Sequence, residues 1–377
     1  MTIAALPKNK NQLSGETTMH KTRLLYLLHS GNLYGTERMA LVTLQGLQNE
    51  LTPLLFAPPG SVHQEAQRLG MESHVFYGSK DLLKQLPKCL QDSTRIAVCA
   101  TGVSHSLIFL FLNLRYRLKN VHLHLVHGGT DERLSYGRKK WLNYLPITLV
   151  AVSGFVRERL LVHGVRDQQI KVLENFLPDG QINTALQRPR FSQDGVRKIL
   201  VVSRVDPIKR IDVLLDALDL EPSLATIEFR ILGTGWDLEV FRERVKDKHP
   251  NVTFVGFSEH VAEELAASDL LLHCCPVEPF GLAILEAMAA KVPVLLPNAG
   301  GAGSLVPERD IDENDAAGVH FKANDPQDLA MQLGRLQNAN ATQLNRMADN
   351  AHQRLWQHYS SQARLQDYRA QFAEVIL

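Results

Sequence analysis

The stretch Cys274–Gly301, CCPVEPFGLAILEAMAAKVPVLLPNAGG, holds a turn, a helix, a strand and a glycine pair in under thirty residues. The turn PVEPFG carries Glu278 and ends in Gly281, and the apolar run LAILEAMAA places Glu286 eight positions after Glu278. Two acids thus frame one helix N-terminus. Free amides and the positive end of the helix dipole favour a phosphate there, and a glycine lets it approach the backbone. At 1.5 Å per residue Glu286 lies roughly 7 to 8 Å along the axis from Gly281. That offset suits a diphosphate at the helix mouth with a sugar or ribose beside it. A lone turn of this kind is more often an ordinary helix start, but here DLLLHC precedes it and VPVLL follows. Both read as strands, which sets the turn at the carboxyl end of a parallel strand, where open α/β sheets bind ligands.

Working outward, the chain repeats this rhythm. Arg23 to Ser30 (RLLYLLHS) reads as a buried strand, GNLYGTE as a glycine loop and RMALVTLQGL as a helix. The loop is neither GxGxxG nor a P-loop, and alone it is a tight turn. LTPLLFAPPG, ESHVFYG and RIAVCATGVSH supply further strands, with SVHQEAQRLG as a helix between the first two. Such alternation predicts doubly wound sheets with right-handed crossovers. The stretch PDGQINTALQRPRFSQDG is polar, carries Pro and Gly and lacks periodicity, so it marks a domain boundary. Beyond it KILVVSRVDPIKRIDVLLDAL is again strand, loop and helix, with Arg204 and Lys209 flanking the loop. Two cations there can clamp a diphosphate by charge-assisted hydrogen bonds, although exposed loop cations are common. A Gly233-x-Gly235 turn and the strand NVTFVGF follow.

Bulk properties narrow the function. At 377 residues the chain is too long for one ordinary core, and two α/β domains are expected. A net charge of +1 argues against a nucleic-acid partner, which needs a basic surface. The four cysteines, Cys89, Cys99, Cys274 and Cys275, show no metal-ligand spacing and suit a reducing, cytoplasmic setting. Residues 1–20 are polar and read as a disordered tail, with Met19 an alternative start. In the segment 115–141, Arg115, Arg117, Lys119, Arg138, Lys139 and Lys140 cluster near Tyr116, Tyr136 and Trp141. Two readings stand: a peripheral patch on anionic lipid at the inner face of the membrane, or, more commonly, a buried helix followed by a solvated loop. His122, His124 and His127 do not share one strand face, which argues against a three-histidine metal site.

The opening stretch resembles the donor-binding signature of the family 4 retaining glycosyltransferases, a GT-B family. The match falls on Glu278, Phe280, Gly281, Glu286, Ala287, Met288, Ala289, Pro293, Val294, Gly300 and Gly301. The resemblance implies two Rossmann-like domains facing a central cleft: 21–178 for the acceptor, a linker at 179–196, 197–358 for the nucleotide sugar, and 359–377 crossing back as a helix. It implies Arg204 and Lys209 on the diphosphate and the amides of Phe280, Gly281 and Leu282 beside them. It also implies Glu286 on the ribose and Glu278 on the donor sugar, both ionised. His127 would contact the sugar, Gly35 close from the first domain, Gly233 line the donor site and Phe257 neighbour the base.

The implied reaction transfers a sugar from a nucleotide-diphosphate sugar, with retention and without metal or other cofactor. The acceptor would be a glycan or a lipid-linked hydroxyl in cell-envelope or exopolysaccharide assembly. Departures from the family pattern are Tyr34 in place of the first loop glycine, Asn175-Phe176-Leu177-Pro178-Asp179, of which only the Asn is retained, and Ser304 where a glutamate is usual. The first two keep open a non-catalytic nucleotide-sugar-binding or scaffold subunit. A nicotinamide-dependent oxidoreductase is disfavoured, because GxGxxG with a downstream acid is missing.

Overall fold

The computed structural model describes residues 22–376 except 91, 92, 94 and 130. The expected tail at 1–20 lies outside the described residues. Two parallel sheets form the frame. The first contains β1 (Arg23–Leu27), β2 (Thr52–Ala57), β3 (Glu72–Val75), β4 (Arg95–Ala100), β5 (Lys119–Val126), β6 (Thr148–Ala151) and β7 (Ile170–Val172) in the order 3-2-1-4-5-6-7. The second contains β8 (Lys198–Val202), β9 (Glu228–Leu232), β10 (Val252–Gly256), β11 (Leu270–Leu272), β12 (Val294–Pro297) and β13 (Val319–Phe321) in the order 10-9-8-11-12-13. Runs such as Leu24–Leu27 and Val294–Leu296 are buried throughout, as strands covered by helices on both faces must be.

Each order reverses once, between β1 and β4 in the first sheet and between β8 and β11 in the second. At such a point neighbouring crossovers leave toward opposite faces, and a crevice opens beyond the strand ends. Residues 28–34 and 101–102 border the first crevice; residues 203–209 and 273–281 border the second. The fold thereby brings Lys209 and Glu278 to one place from opposite sides of a switch point.

The chain crosses between the two halves twice. After β7 it leaves through 173–197, in which a short helix, Asp179–Asn183, interrupts otherwise irregular backbone. It returns at Tyr359–Ser361, where the Leu177 amide donates to the Tyr359 carbonyl at 2.9 Å and the Asp179 amide to Ser361 Oγ at 3.1 Å. The final helix, Ser361–Ile376, buries Leu365, Tyr368, Phe372 and Val375 in one core with Leu24, Tyr26, Leu41 and Cys99 of the first sheet and its helices. A separate cluster joins Val126, Tyr136 and Val152 to Phe280, Ile284 and Leu305, so the halves share apolar contact beside the second crevice.

Candidate functional site

The second crevice is built around the helix Leu282–Ala289. Its cap, Gly281, has φ +103°, a left-handed conformation that any side chain would strain. Gly301 serves in another way: a Cβ there would stand 1.9 Å from the Pro279 carbonyl oxygen, so only a hydrogen lets the glycine pair pass beneath the turn. The Gly301 amide donates to the Glu278 carbonyl at 2.7 Å, and the Ser304 hydroxyl turns back onto the Gly301 carbonyl at 2.8 Å. These contacts fix the backbone that carries Glu278. Phe280 is buried edge-on against Tyr359, with centroids 5.9 Å apart, so its side chain belongs to the core and only its backbone faces the helix mouth.

The charged groups here occur as pairs. Lys209 Nζ lies 2.5 Å from Glu278 Oε2, with both side chains largely buried. Burial alone would lower the Lys209 pKa, but the Glu278 carboxylate outweighs it and holds the ammonium charge above its ordinary range. Burial likewise opposes ionisation of Glu278, and Lys209 with His273 reverses that and lowers its pKa. Arg204 Nη1 pairs with Asp206 Oδ2 at 2.5 Å. Each of the two cations expected on the diphosphate therefore has a carboxylate partner within the protein.

Glu286 differs. It makes no ion pair among the described residues, and burial raises its pKa against the pull of Arg38 in the first half. Burial thus works against the ionised form expected of Glu286, and Arg38 partly offsets it.

The first half meets this crevice at three points. Ser153 Oγ caps the helix Gly154–Val162 by accepting from the Val156 amide at 3.2 Å, and donates across the cleft to the Pro279 carbonyl at 2.6 Å. Gly128 abuts Pro279, where an added Cβ would lie 2.5 Å from its Cγ. Gly35, which opens the helix Gly35–Gly46, faces the Leu282 side chain. Tyr34 is exposed beside it, and its amide donates to Glu37 Oε2 at 3.2 Å. His127 directly precedes Gly128, and its Nε2 is buried with no partner; burial, with His29 nearby, lowers its pKa to about 4. The ring is therefore neutral near pH 7.

Gly233 follows β9 and abuts the Ser203 carbonyl under the Arg204 loop, and Gly235 abuts Asp206. Phe257 is 76% exposed just beyond β10, so it is not core. Lys209, Glu278, Gly281, Leu282, Gly35 and the His127–Gly128 turn converge at the cleft.

Sequence reasoning missed Asp206, Ser153, Arg38 and His273. Asp206 stands two residues after Arg204, and that spacing was its one available signal. His273, Cys275 and Glu278 offer ligand atoms within 4.8 Å of one another, a set able to hold a metal ion, but Lys209 already supplies the cation beside Glu278.

A second feature of the cleft is a cavity of about 560 Å³ in the first half. It lies beyond β1, β4 and β5 and is lined by His29, Thr101, Ser104, His127, Arg138, Lys139 and Trp141 among others. The basic and aromatic residues of 115–141 do not form one surface patch. Tyr136 and Lys139 are buried, whereas Trp141 is 71% exposed and Phe111 and Leu114 lie open on the helix Val103–Tyr116. No described helix is long and apolar enough to cross a membrane.

The model of the family described as glycosyl transferases group 1 matches residues 183–354, a span that contains the whole Arg204–Lys209 and Cys274–Gly301 assembly. Residues 183–354 belong to glycosyl transferases group 1. Among curated relatives, a GDP-mannose-dependent alpha-mannosyltransferase of Mycobacterium tuberculosis is 30% identical over 180 residues, 46% of this chain and 45% of that one. An N-acetyl-alpha-D-glucosaminyl L-malate synthase of Bacillus anthracis is 27% identical over 216 residues, 56% and 55% of the two chains. The chain thus spans about half the length of these relatives. Among solved structures, Anabaena HepE in complex with UDP-glucose superposes with a TM-score of 0.76 at 19% identity, covering 93% of this chain and 99% of that one. The two sheets and the cleft between them are those of the GT-B fold.

Proposed function

We propose that this group 1 protein transfers a sugar from a nucleotide-diphosphate sugar to a hydroxyl of a glycan or lipid-linked acceptor, with retention at the anomeric carbon. The observation that carries the reading is the Lys209–Glu278 pair at the mouth of the Leu282–Ala289 helix. An arriving diphosphate competes with Glu278 for the Lys209 ammonium and gains the amides of the helix start. Glu278, loosened from Lys209, turns to the sugar hydroxyls. As the bond to the sugar breaks, charge grows on the phosphate oxygen, where Lys209 and Arg204 hold it. That oxygen takes the proton of the attacking hydroxyl on the same face of the sugar, so neither a general base nor a metal is needed. Glu286 receives the ribose hydroxyls. The GDP-mannose dependence of the mannosyltransferase relative and the UDP-glucose held by HepE support a nucleotide-sugar donor.

The acceptor side is assigned to the cavity over β1, β4 and β5. Two separate exposed groups, Phe111 and Leu114 with Arg115 on one helix and Trp141 with Lys140 on another, support peripheral contact with an anionic inner membrane surface, the setting of envelope or exopolysaccharide assembly.

The test is turnover. Purified protein is screened for thermal shift with nucleotide sugars, and the donor that shifts it is supplied in labelled form with acceptor extract. Transfer with retained anomeric configuration is expected. Tight donor binding with neither hydrolysis nor transfer would instead make the protein a nucleotide-sugar-binding subunit.

A further inference from the structure

The cavity in the first half contains an electrostatic imbalance. Lys139 is 8% exposed, and its Nζ has one partner, the Leu134 carbonyl at 3.2 Å. Arg138 projects beside it. Neither makes an ion pair among the described residues, and no carboxylate appears among the residues lining the cavity. Glu132, the nearest acid in sequence to be engaged, is drawn away by Arg159. A buried ammonium without a counter-charge is costly. Its physical signature is present: burial, with Arg138 adding to it, lowers the Lys139 pKa to about 8.

Other donors face the same space. The helix Val103–Tyr116 opens there from Gly102 with no side-chain cap and no acid in its first turn. Ser104 and Ser135 bring hydroxyls and His127 its unpartnered Nε2, while the Thr101 hydroxyl is already engaged by His29. The contrast with Lys209, which carries its own carboxylate, is the point. One cation is balanced from within, and the other awaits balance from outside.

We propose that the cavity binds a phosphate group carried by the acceptor, with Lys139 and Arg138 as its counter-ions. This deepens the transferase reading and rests on it for the word acceptor. A phosphate presents several acceptor oxygens at once, which matches a fork, an ammonium, hydroxyls and free helix amides better than a single carboxylate does. At about 560 Å³ the space has the size of an ordinary small-ligand site and holds more than the phosphate alone. The hydroxyl to be glycosylated would extend from it toward His127 and the Pro279 turn.

The experiment is calorimetric titration with glucose 1-phosphate, inorganic phosphate, malate and glucose, and with detergent micelles bearing a polyprenyl phosphate. It uses the full chain carrying Lys209→Met, so that the donor-site lysine does not contribute. UDP and GDP are titrated separately into the unsubstituted protein. Binding of a phosphate-bearing probe is expected, with glucose silent and malate at least tenfold weaker. Adding Lys139→Met should weaken it at least tenfold and Lys139→Arg much less. Arg138→Met, at an exposed position that does not threaten folding, should weaken it at least threefold.

A micelle-only response identifies a lipid phosphate as the source, and response to glucose 1-phosphate a soluble one; both support the proposal. Equal binding with and without Lys139 and Arg138, malate outcompeting phosphate, or no phosphate binding would overturn it. Failure of the nucleotides to bind while phosphate binds through Lys139 would remove the transferase reading and leave the anion site.

Discussion

The two crevices are built on the same topology and solve their electrostatics in opposite ways. In the second, Lys209 is balanced by Glu278 and Arg204 by Asp206. In the first, Lys139 and Arg138 stand without paired carboxylates among the described residues, and several buried histidines lie in and behind the strands of the same half. Ser106 Oγ bridges His122 Nε2 at 3.0 Å and His124 Nδ1 at 2.9 Å, and burial lowers the pKa of His122 to about 3 and of His105 and His127 to about 4. A self-balanced crevice can stay preorganised while empty and exchange one anion for another. An unbalanced one depends on its ligand for neutrality and on solution pH for its integrity.

The largest expected effect follows from that second dependence. A histidine whose folded pKa lies below its unfolded value binds its proton first in the unfolded chain, so folding stability falls as pH drops from about 6.5 toward 4. Each such group contributes at most about 1.4 kcal/mol per pH unit in that window. His29, His105, His122, His124 and His127 belong to the first half, whereas His273, His320 and His358 are the lowered histidines of the second, His358 being the least buried of them. Hydrogen exchange at pH 5 should therefore show β4 and β5 opening before β8 and β11. Uniform protection in the two sheets would erase the contrast.

Next in size is the balanced crevice. Lys209→Met should lower transfer by about 10² to 10³-fold, the scale of removing one donor to a developing oxyanion. Near-normal turnover would remove Lys209 from the site. Glu278→Gln should act less on chemistry and more on Lys209 itself: with the carboxylate gone, burial governs, and the lysine pKa moves down. A new alkaline limb in the pH–rate profile would reveal this, and an unchanged profile would show that the pair is not coupled in the working enzyme.

The smallest effect concerns the seam between the halves. Ser153→Ala removes both a helix cap and the hydrogen bond to Pro279, about 1 to 2 kcal/mol together. The expected reading is a melting temperature a few degrees lower with a raised KM for donor. A lowered melting temperature with unchanged KM would assign Ser153 to the cap alone.

Much of the fold was legible because each strand is a short, wholly apolar run followed by an amphipathic helix, a pattern carried locally. The turn before the Leu282–Ala289 helix was legible for a related reason: Glu278, Gly281, Glu286 and the Gly300-Gly301 pair all fall within one stretch, and their spacing encodes a helix mouth. What escaped reading was non-local. Ser153 reaches Pro279 across 126 positions of sequence. Lys139 looked like one more cation in a basic loop, because nothing adjacent to it signals burial. The engagement of Lys209 by Glu278 was likewise hidden, although both residues were singled out, since sequence names charges without saying which ones meet.

The return of the last helix to the first sheet has a consequence for the order in which the protein can be made. Leu365, Tyr368, Phe372 and Val375 complete the core around Leu24 and Tyr26. The sheet that emerges first from the ribosome is thus finished last, after every residue of the other half has been synthesised. Until then a strip of its apolar surface stays open, and the second half, whose strands all lie between Lys198 and Phe321, is free to fold ahead of it. The packing of the Ser361–Ile376 helix on the first sheet makes the first domain, in time, the second.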